Sequence, residues 1–245
     1  MPNSHAEAKL REELAQCYRL FDWLGWSEGI FNHISLRLPG EPRSYLVNPF
    51  GLHYAEVTAD NLVRVGLNGV PIDNSPHRTN PAGFVLHAAV HSARDDAHCV
   101  MHTHTIPCAA VAQKAAGLSH DSFYGAQLLD RVGYHDFEGI TIHGDEMGRM
   151  VHSLGGRPLM ILRNHGVVAV GSDLPTAFMW LWTLQRACEV QLAAGSIAGP
   201  DIALTREVRQ RAASDVEAFS KGGLSELGRT LFDAMVRRME MGPRG

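Results

Sequence analysis

Apolar residues fall at Leu10, Leu14, Cys17, Phe21 and Leu24, in steps of three and four, and Gly25 follows them. That is the repeat of a helix burying one face, so the spacing predicts a helix over 6–24 with the glycine as its stop. Beyond it the pattern shortens to β-like runs at 34–38, 44–48, 63–67 and 70–72. The last two flank Asn68-Gly69, a pair favoured in type I′ hairpin turns. Asn80-Pro81 supplies an N-cap and a proline for the first helical position, predicting a helix to about Ala93. Residues 98–104 read as a strand, 107–117 as a helix, and 159–171 as two short strands bent around Asn164-His165-Gly166. Pro175 opens a strongly apolar helix that Gly195 ends, and one or two more polar helices are expected over 204–240. Strands alternate with helices, with no internal repeat and no second core. The expectation is a single α/β domain over residues 1–245, a mixed sheet covered by helices.

Composition narrows the function classes. The 245 residues are 45% hydrophobic and 20% charged, enough to bury a sizeable core. Lysine and arginine total 22 against 26 aspartates and glutamates, a net charge of −4 without a dense basic block, so no nucleic-acid partner is expected. The longest apolar stretches fall short of the roughly 18 residues of a membrane span, and the polar N-terminus lacks a signal-peptide core. No membrane association and a cytoplasmic location are expected. Cys17, Cys99, Cys108 and Cys188 are scattered without a C-x-x-C pair, which fits reduced, packed thiols. The composition is unusual in its 14 histidines, five of them between positions 87 and 104.

His102 and His104 stand two apart on a predicted strand, so both side chains face one side, as two ligands of one metal must. Catalytic zinc sites typically have three protein ligands and a free position, and His165, at a strand bend beside Gly166, is the best third ligand. A hydrogen-bonded histidine pair on a strand explains the same spacing. His87 and His91 are one helical turn apart, but the glutamate of H-E-x-x-H is absent, and core or surface histidines are the simpler reading. Alternation would place Arg163 on the same face as His165, where it would bind a carboxylate bidentately; a structural salt bridge accounts for it equally well.

The segments GIFNHISLR, NPFGLHYAEVT, NPAGFVLHAAVHSARDDAHCVMHTH, GYHDFEGI and ILRNHGVVAVG resemble, in order and spacing, the signature blocks of the class II aldolase/adducin family over roughly residues 8–200. The resemblance implies a three-layer α/β/α fold with a mixed, mainly antiparallel sheet, leaving 201–245 as a helical extension. It also implies one divalent metal per subunit on His102, His104 and His165, usually zinc in the sugar-phosphate aldolases, with manganese and iron as alternatives. A homotetramer with sites at subunit boundaries is implied as well. By position, the resemblance makes His33 and Tyr124 the candidate proton donors, and places Asn32 and the loop Pro49-Phe50-Gly51 toward the substrate.

Two departures bear on function. The aldolases' acid/base glutamate is replaced by Gly83, and their phosphate-binding G-N-I-S by Asn32-His33-Ile34-Ser35. Both instead resemble the adducin head and bacterial proteins that share its pattern. Decarboxylation needs no base to abstract a substrate proton, only a later proton donor. The expected function is therefore a metal-dependent carbon–carbon lyase, a decarboxylase or aldolase, acting on a small hydroxy- or keto-carboxylate through a metal-stabilised enolate. The alternatives are a mononuclear non-haem iron oxygenase and a non-catalytic adducin-like scaffold.

Overall fold

The computed structural model describes residues 3–40, 43–73, 75–220 and 222–242. Helix α1 runs Asn3–Leu24 and ends at Gly25, whose φ of 74° is left-handed, as the sequence pattern anticipates. Strands β1 (His33–Leu38), β2 (Ser44–Val47) and β3 (Val63–Gly66) form an antiparallel meander. The Asn68-Gly69 hairpin does not form as expected. Only Gly69 has a positive φ, where a type I′ turn needs two, and 70–72 returns as a single bridge from Pro71 to Val65 instead of a strand.

Helix α2 (Pro81–Ala93) starts where the sequence places it, with the Asn80 side chain accepting the Ala82 N–H. β4 (Cys99–Thr103) leads into α3 (Ile106–Ala112), and the chain continues through α4 (Phe123–Gln127), β5 (Val132–His135) and α5 (Met147–Leu154). β6 (Leu159–Leu162) and β7 (Gly166–Gly171) flank the expected bend, and α6 (Leu174–Ala194), α7 (Arg206–Phe219) and α8 (Leu224–Glu240) complete the order. The sheet runs β3-β2-β1-β4-β7-β6-β5, antiparallel except for the β5–β6 pair, which the crossover helix α5 joins in parallel.

Alternation in the central strands builds the layers. Cys99, Met101, Ile161, Val167 and Ala169 enter one core with α1, α3 and α6, while Val100, Met160, Leu162, Val168 and Val170 enter a second with α2 and α5. The sheet is thus sandwiched between helices, as an α/β/α fold requires. The residues beyond 200 join the first core: Phe232 on α8 is buried and meets Phe178 on α6 edge-on. Among the described residues no helix is long and apolar enough to cross a membrane.

The sheet centre is fixed by one hydroxyl. Tyr18 on α1 accepts the backbone N–H groups of Ile34 and Asn48 at 2.9 and 3.1 Å, while its own proton is shared between the Ile34 carbonyl and the Asn48 side chain. This ties the start of β1 and the end of β2 to the helix layer, and the candidate site lies at that end of β1.

Candidate metal centre

His102 is the fourth residue of β4, and His104 lies just past the strand's end. His165 sits in the β6–β7 bend. The left-handed residue of that bend is Asn164 at φ 57°, not the neighbouring glycine. Gly166 is needed for proximity instead, because a Cβ there would stand 2.5 Å from the Thr103 carbonyl and 2.8 Å from the His104 ring. The bend and the strand end therefore pack without an intervening side chain, and three imidazoles meet.

The ligating atoms of His102, His104 and His165 lie within 4.8 Å of one another. His102 Nδ1 donates to the Val167 carbonyl at 3.0 Å, and His104 Nδ1 to the Glu28 carboxylate at 2.5 Å. Each ring in its neutral form then turns a lone pair inward through Nε2. Those two Nε2 atoms are 2.6 Å apart, and His165 Nε2 is 2.9 Å from that of His104. Lone pairs held this close repel unless a cation lies among them. Burial, reinforced by the His104 imidazole, drives His102 well below its usual pKa and His165 to about 4, so neither of those two rings carries a second proton near neutrality. The donor set fits a divalent metal: three imidazoles, with outer hydrogen bonds fixing the orientations of His102 and His104. Glu28 lies 76 residues from His104 and carries no motif that would mark it in the sequence.

The imidazoles floor a cavity of about 430 Å³. Its walls are mainly apolar, from Phe31, Phe50, Leu86, Phe137, Ile140 and Ile142, and no lysine or arginine among the described residues lines it. His33 lines it as well, in register with His102 across β1 and β4, the two rings stacked at 4.8 Å. A Cβ on Gly83 would stand 2.9 Å from His33 Cδ2 and 3.2 Å from its Nε2. The His33 ring therefore fills the space into which a side chain at position 83 would grow.

The other sequence candidates divide. Phe50 lines the cavity, whereas Pro49 and Gly51 do not. The buried Asn32 side chain donates to the Trp26 carbonyl at 2.8 Å and braces the loop before β1. Arg163 lies beyond the end of β6 and turns away: its guanidinium stacks 4.7 Å over Tyr134, pairs with Asp136 at 3.5 Å and caps the carbonyls of Lys114 and Ala115. The strand alternation invoked for it ends at Leu162. Tyr124 on α4 packs against the main core beneath the Arg186 guanidinium and does not line this cavity. His87 and His91 are fully buried; His87 bonds directly to His33, and Ser35 joins His87 to His91.

Comparison with known proteins agrees with this fold. Residues 12–192 match the family described as Class II Aldolase and Adducin N-terminal domain. A Caulobacter vibrioides protein whose name places it with the class 2 aldolases is 38% identical over 237 residues, covering 97% of this chain and 91% of that protein. Mouse alpha-adducin is 44% identical over 199 residues, which span 80% of this chain but 27% of the adducin. The crystal structure of an aldolase II superfamily protein from Pseudomonas syringae superposes with a TM-score of 0.89 at 35% identity, covering 99% of this chain and 95% of that one.

Proposed function

The chain belongs to the class II aldolase and adducin N-terminal domain family, and within it we propose a divalent-metal-dependent carbon–carbon lyase acting on a small hydroxy- or keto-carboxylate with an apolar body. The observation that carries this reading is the convergence of the His102, His104 and His165 Nε2 atoms at the floor of an apolar cavity. When bound there, a divalent ion would supply positive charge to the cavity, attracting a carboxylate and stabilising negative charge that develops on a neighbouring oxygen as a carbon–carbon bond breaks.

The chain's own residues do the rest. Phe31, Phe50 and Phe137 bind the apolar part of the substrate and exclude water around the reacting end. A sugar phosphate would find no arginine or lysine among the described residues of these walls, in keeping with the altered Asn32-His33-Ile34-Ser35 segment. His33 is the cavity's proton carrier: it lines the wall beside the three imidazoles and takes the room vacated at Gly83, so the missing carboxylate does not leave the site without acid/base chemistry. That keeps the aldolase form of the reading beside the decarboxylase, since a cleavage of that kind also requires a base.

The adducin relatives make a scaffold the competing reading, and the site's construction favours the enzyme. A scaffold has no use for Glu28 and Val167 holding two imidazoles in ligating tautomers. The test is a panel of small hydroxy- and keto-carboxylates with alkyl and aryl substituents, offered to the protein loaded in turn with zinc, manganese and iron, with carbon dioxide and aldehyde as readouts. Cleavage of one class, lost in His102→Ala and strongly reduced in His33→Ala, is expected. No cleavage with any metal would overturn the lyase reading.

A further inference from the structure

The lyase reading leaves Ser35, His87 and His91 without a task, yet all three are buried and joined to His33 in one file of hydrogen bonds. The file arises where β1, with its period of two, packs on α2, with its period near four. His33 and Ser35 share one strand face, His87 and His91 one helix face, and Gly83 leaves the first helical position of that face open. His33 Nδ1 is 2.6 Å from His87 Nε2, and His87 Nδ1 is 2.5 Å from Ser35 Oγ. Ser35 Oγ is 2.7 Å from His91 Nε2, and His91 Nδ1 is 2.9 Å from the Ala97 carbonyl.

The far end sets the direction of every bond. A carbonyl only accepts, so His91 Nδ1 carries the hydrogen, and the neutral ring offers a lone pair at Nε2. Ser35 donates its hydroxyl proton there and must accept from His87 Nδ1–H. His87 Nε2 is then an acceptor, and His33 Nδ1 donates to it. The reverse direction would require His91 to hold two protons. Burial opposes that charge, as do the nearby Arg37, His98 and Arg43, which together hold its pKa at about 3 even against the favourable Ala97 hydrogen bond. Arg37 also donates to the His91 and Arg94 carbonyls, fixing this end of α2 on β1. At the other end, His33 Nε2 makes no hydrogen bond among the described residues, and its ring lines the cavity.

We propose that Ser35, His87 and His91 are positioning residues that lock His33 in its Nδ1–H tautomer, so that the resting site presents His33 Nε2 to the cavity as a proton acceptor. The sequence alone placed His33 as a donor; the file gives it the opposite resting state. Resting on the lyase reading, this narrows the substrate to one with a proton to give, a hydroxyl at the carbon beside the scissile bond, over one that must first be protonated. The hydroxyl proton moves to Nε2 and its bonding pair stays on oxygen.

Long-range proton–nitrogen NMR of protein labelled with ¹⁵N-histidine reads each ring's tautomer at neutral pH, without substrate, with and without zinc. Losing a buried hydrogen bond in the wrong tautomer implies an excess of about tenfold or more of the Nδ1–H form of His33 in the wild type. His87→Gln keeps the polarity, its amide oxygen accepting from His33 and its NH2 donating to Ser35, and should preserve that form. Ser35→Ala and His87→Leu should give a tautomer mixture at His33. An Nε2–H tautomer in the wild type overturns the proposal, as does an unchanged His33 signal in a folded His87→Leu or Ser35→Ala variant. The wild-type spectrum decides even if a variant fails to fold. An inactive enzyme with the expected tautomer would refute the lyase and leave the file standing.

Discussion

Gly83→Ala is a small change with a calculable conflict. A Cβ at this position stands 2.9 Å from His33 Cδ2, 3.1 Å from Cγ and 3.2 Å from Nε2, inside van der Waals contact. The ring cannot simply yield, since it is bonded to His87 at 2.6 Å and stacked on His102. Alanine is favoured over glycine within a helix by about 1 kcal/mol. Against that, overpacking a tight core costs about 1–3 kcal/mol, and loosening a buried hydrogen bond adds about 1 kcal/mol. The expected net is a destabilisation of about 1–3 kcal/mol, a melting temperature lower by about 2–12 °C in a chain of this length. Combining it with His33→Ala removes the opposing ring, so in that background the same alanine should stabilise by about 0.5–1 kcal/mol. Urea and thermal unfolding of the four proteins measure the cycle. An equal stabilisation by Gly83→Ala in both backgrounds would refute the idea that His33 occupies this space.

Glu28→Gln removes the carboxylate from His104 Nδ1 while leaving the fold intact; zinc affinity, measured by competition with a chelating dye, is expected to fall about 10–100-fold. Tyr18→Phe deletes the hydroxyl that two buried backbone N–H groups share, and should destabilise by about 1–3 kcal/mol in urea titrations. His91 stays neutral in the folded chain because its pKa is lowered from 6.5 to about 3, whereas the unfolded chain protonates it. Its contribution to stability is whole above pH 6.5 and is lost as pH falls from 6.5 toward 3. Between pH 7 and pH 5 the wild type should lose about 2 kcal/mol more than His91→Gln, compared by urea titration at each pH.

Much of this architecture was legible because it rests on local chemistry. The 3.6-residue repeat of α1, the Asn80-Pro81 start of α2 and the Asn164-His165-Gly166 bend each declare themselves within a few residues. The three-histidine cluster was legible for a related reason: two of its members lie two residues apart, and the third sits in a recognisable turn. β5 was missed. It is four residues, Val-Gly-Tyr-His, paired only at the sheet edge, and its Gly133 is required by the Ser153 carbonyl 2.3 Å from where a Cβ would stand, a contact made by the following helix. Arg163 was misplaced because strand alternation was carried one residue past the end of β6.

The hydrogen-bonded file shows the same limit from the other side. His87 and His91 stand out individually, but their partners on β1 are more than fifty residues away, and only the register of strand on helix brings them together. Glu28 and His104 are likewise joined only by the fold. Sequence spacing finds groups that act within one element; it does not find the groups that orient them from another.

The central claim is that His102, His104 and His165 hold one divalent ion. Metal analysis of untagged protein purified without chelator, beside the three single alanine variants, tests it most directly. Close to one divalent metal per wild-type chain, largely lost in every variant with the fold retained, is the expected result. A wild-type chain that takes up no metal under any loading condition, or variants that retain wild-type content, would contradict it.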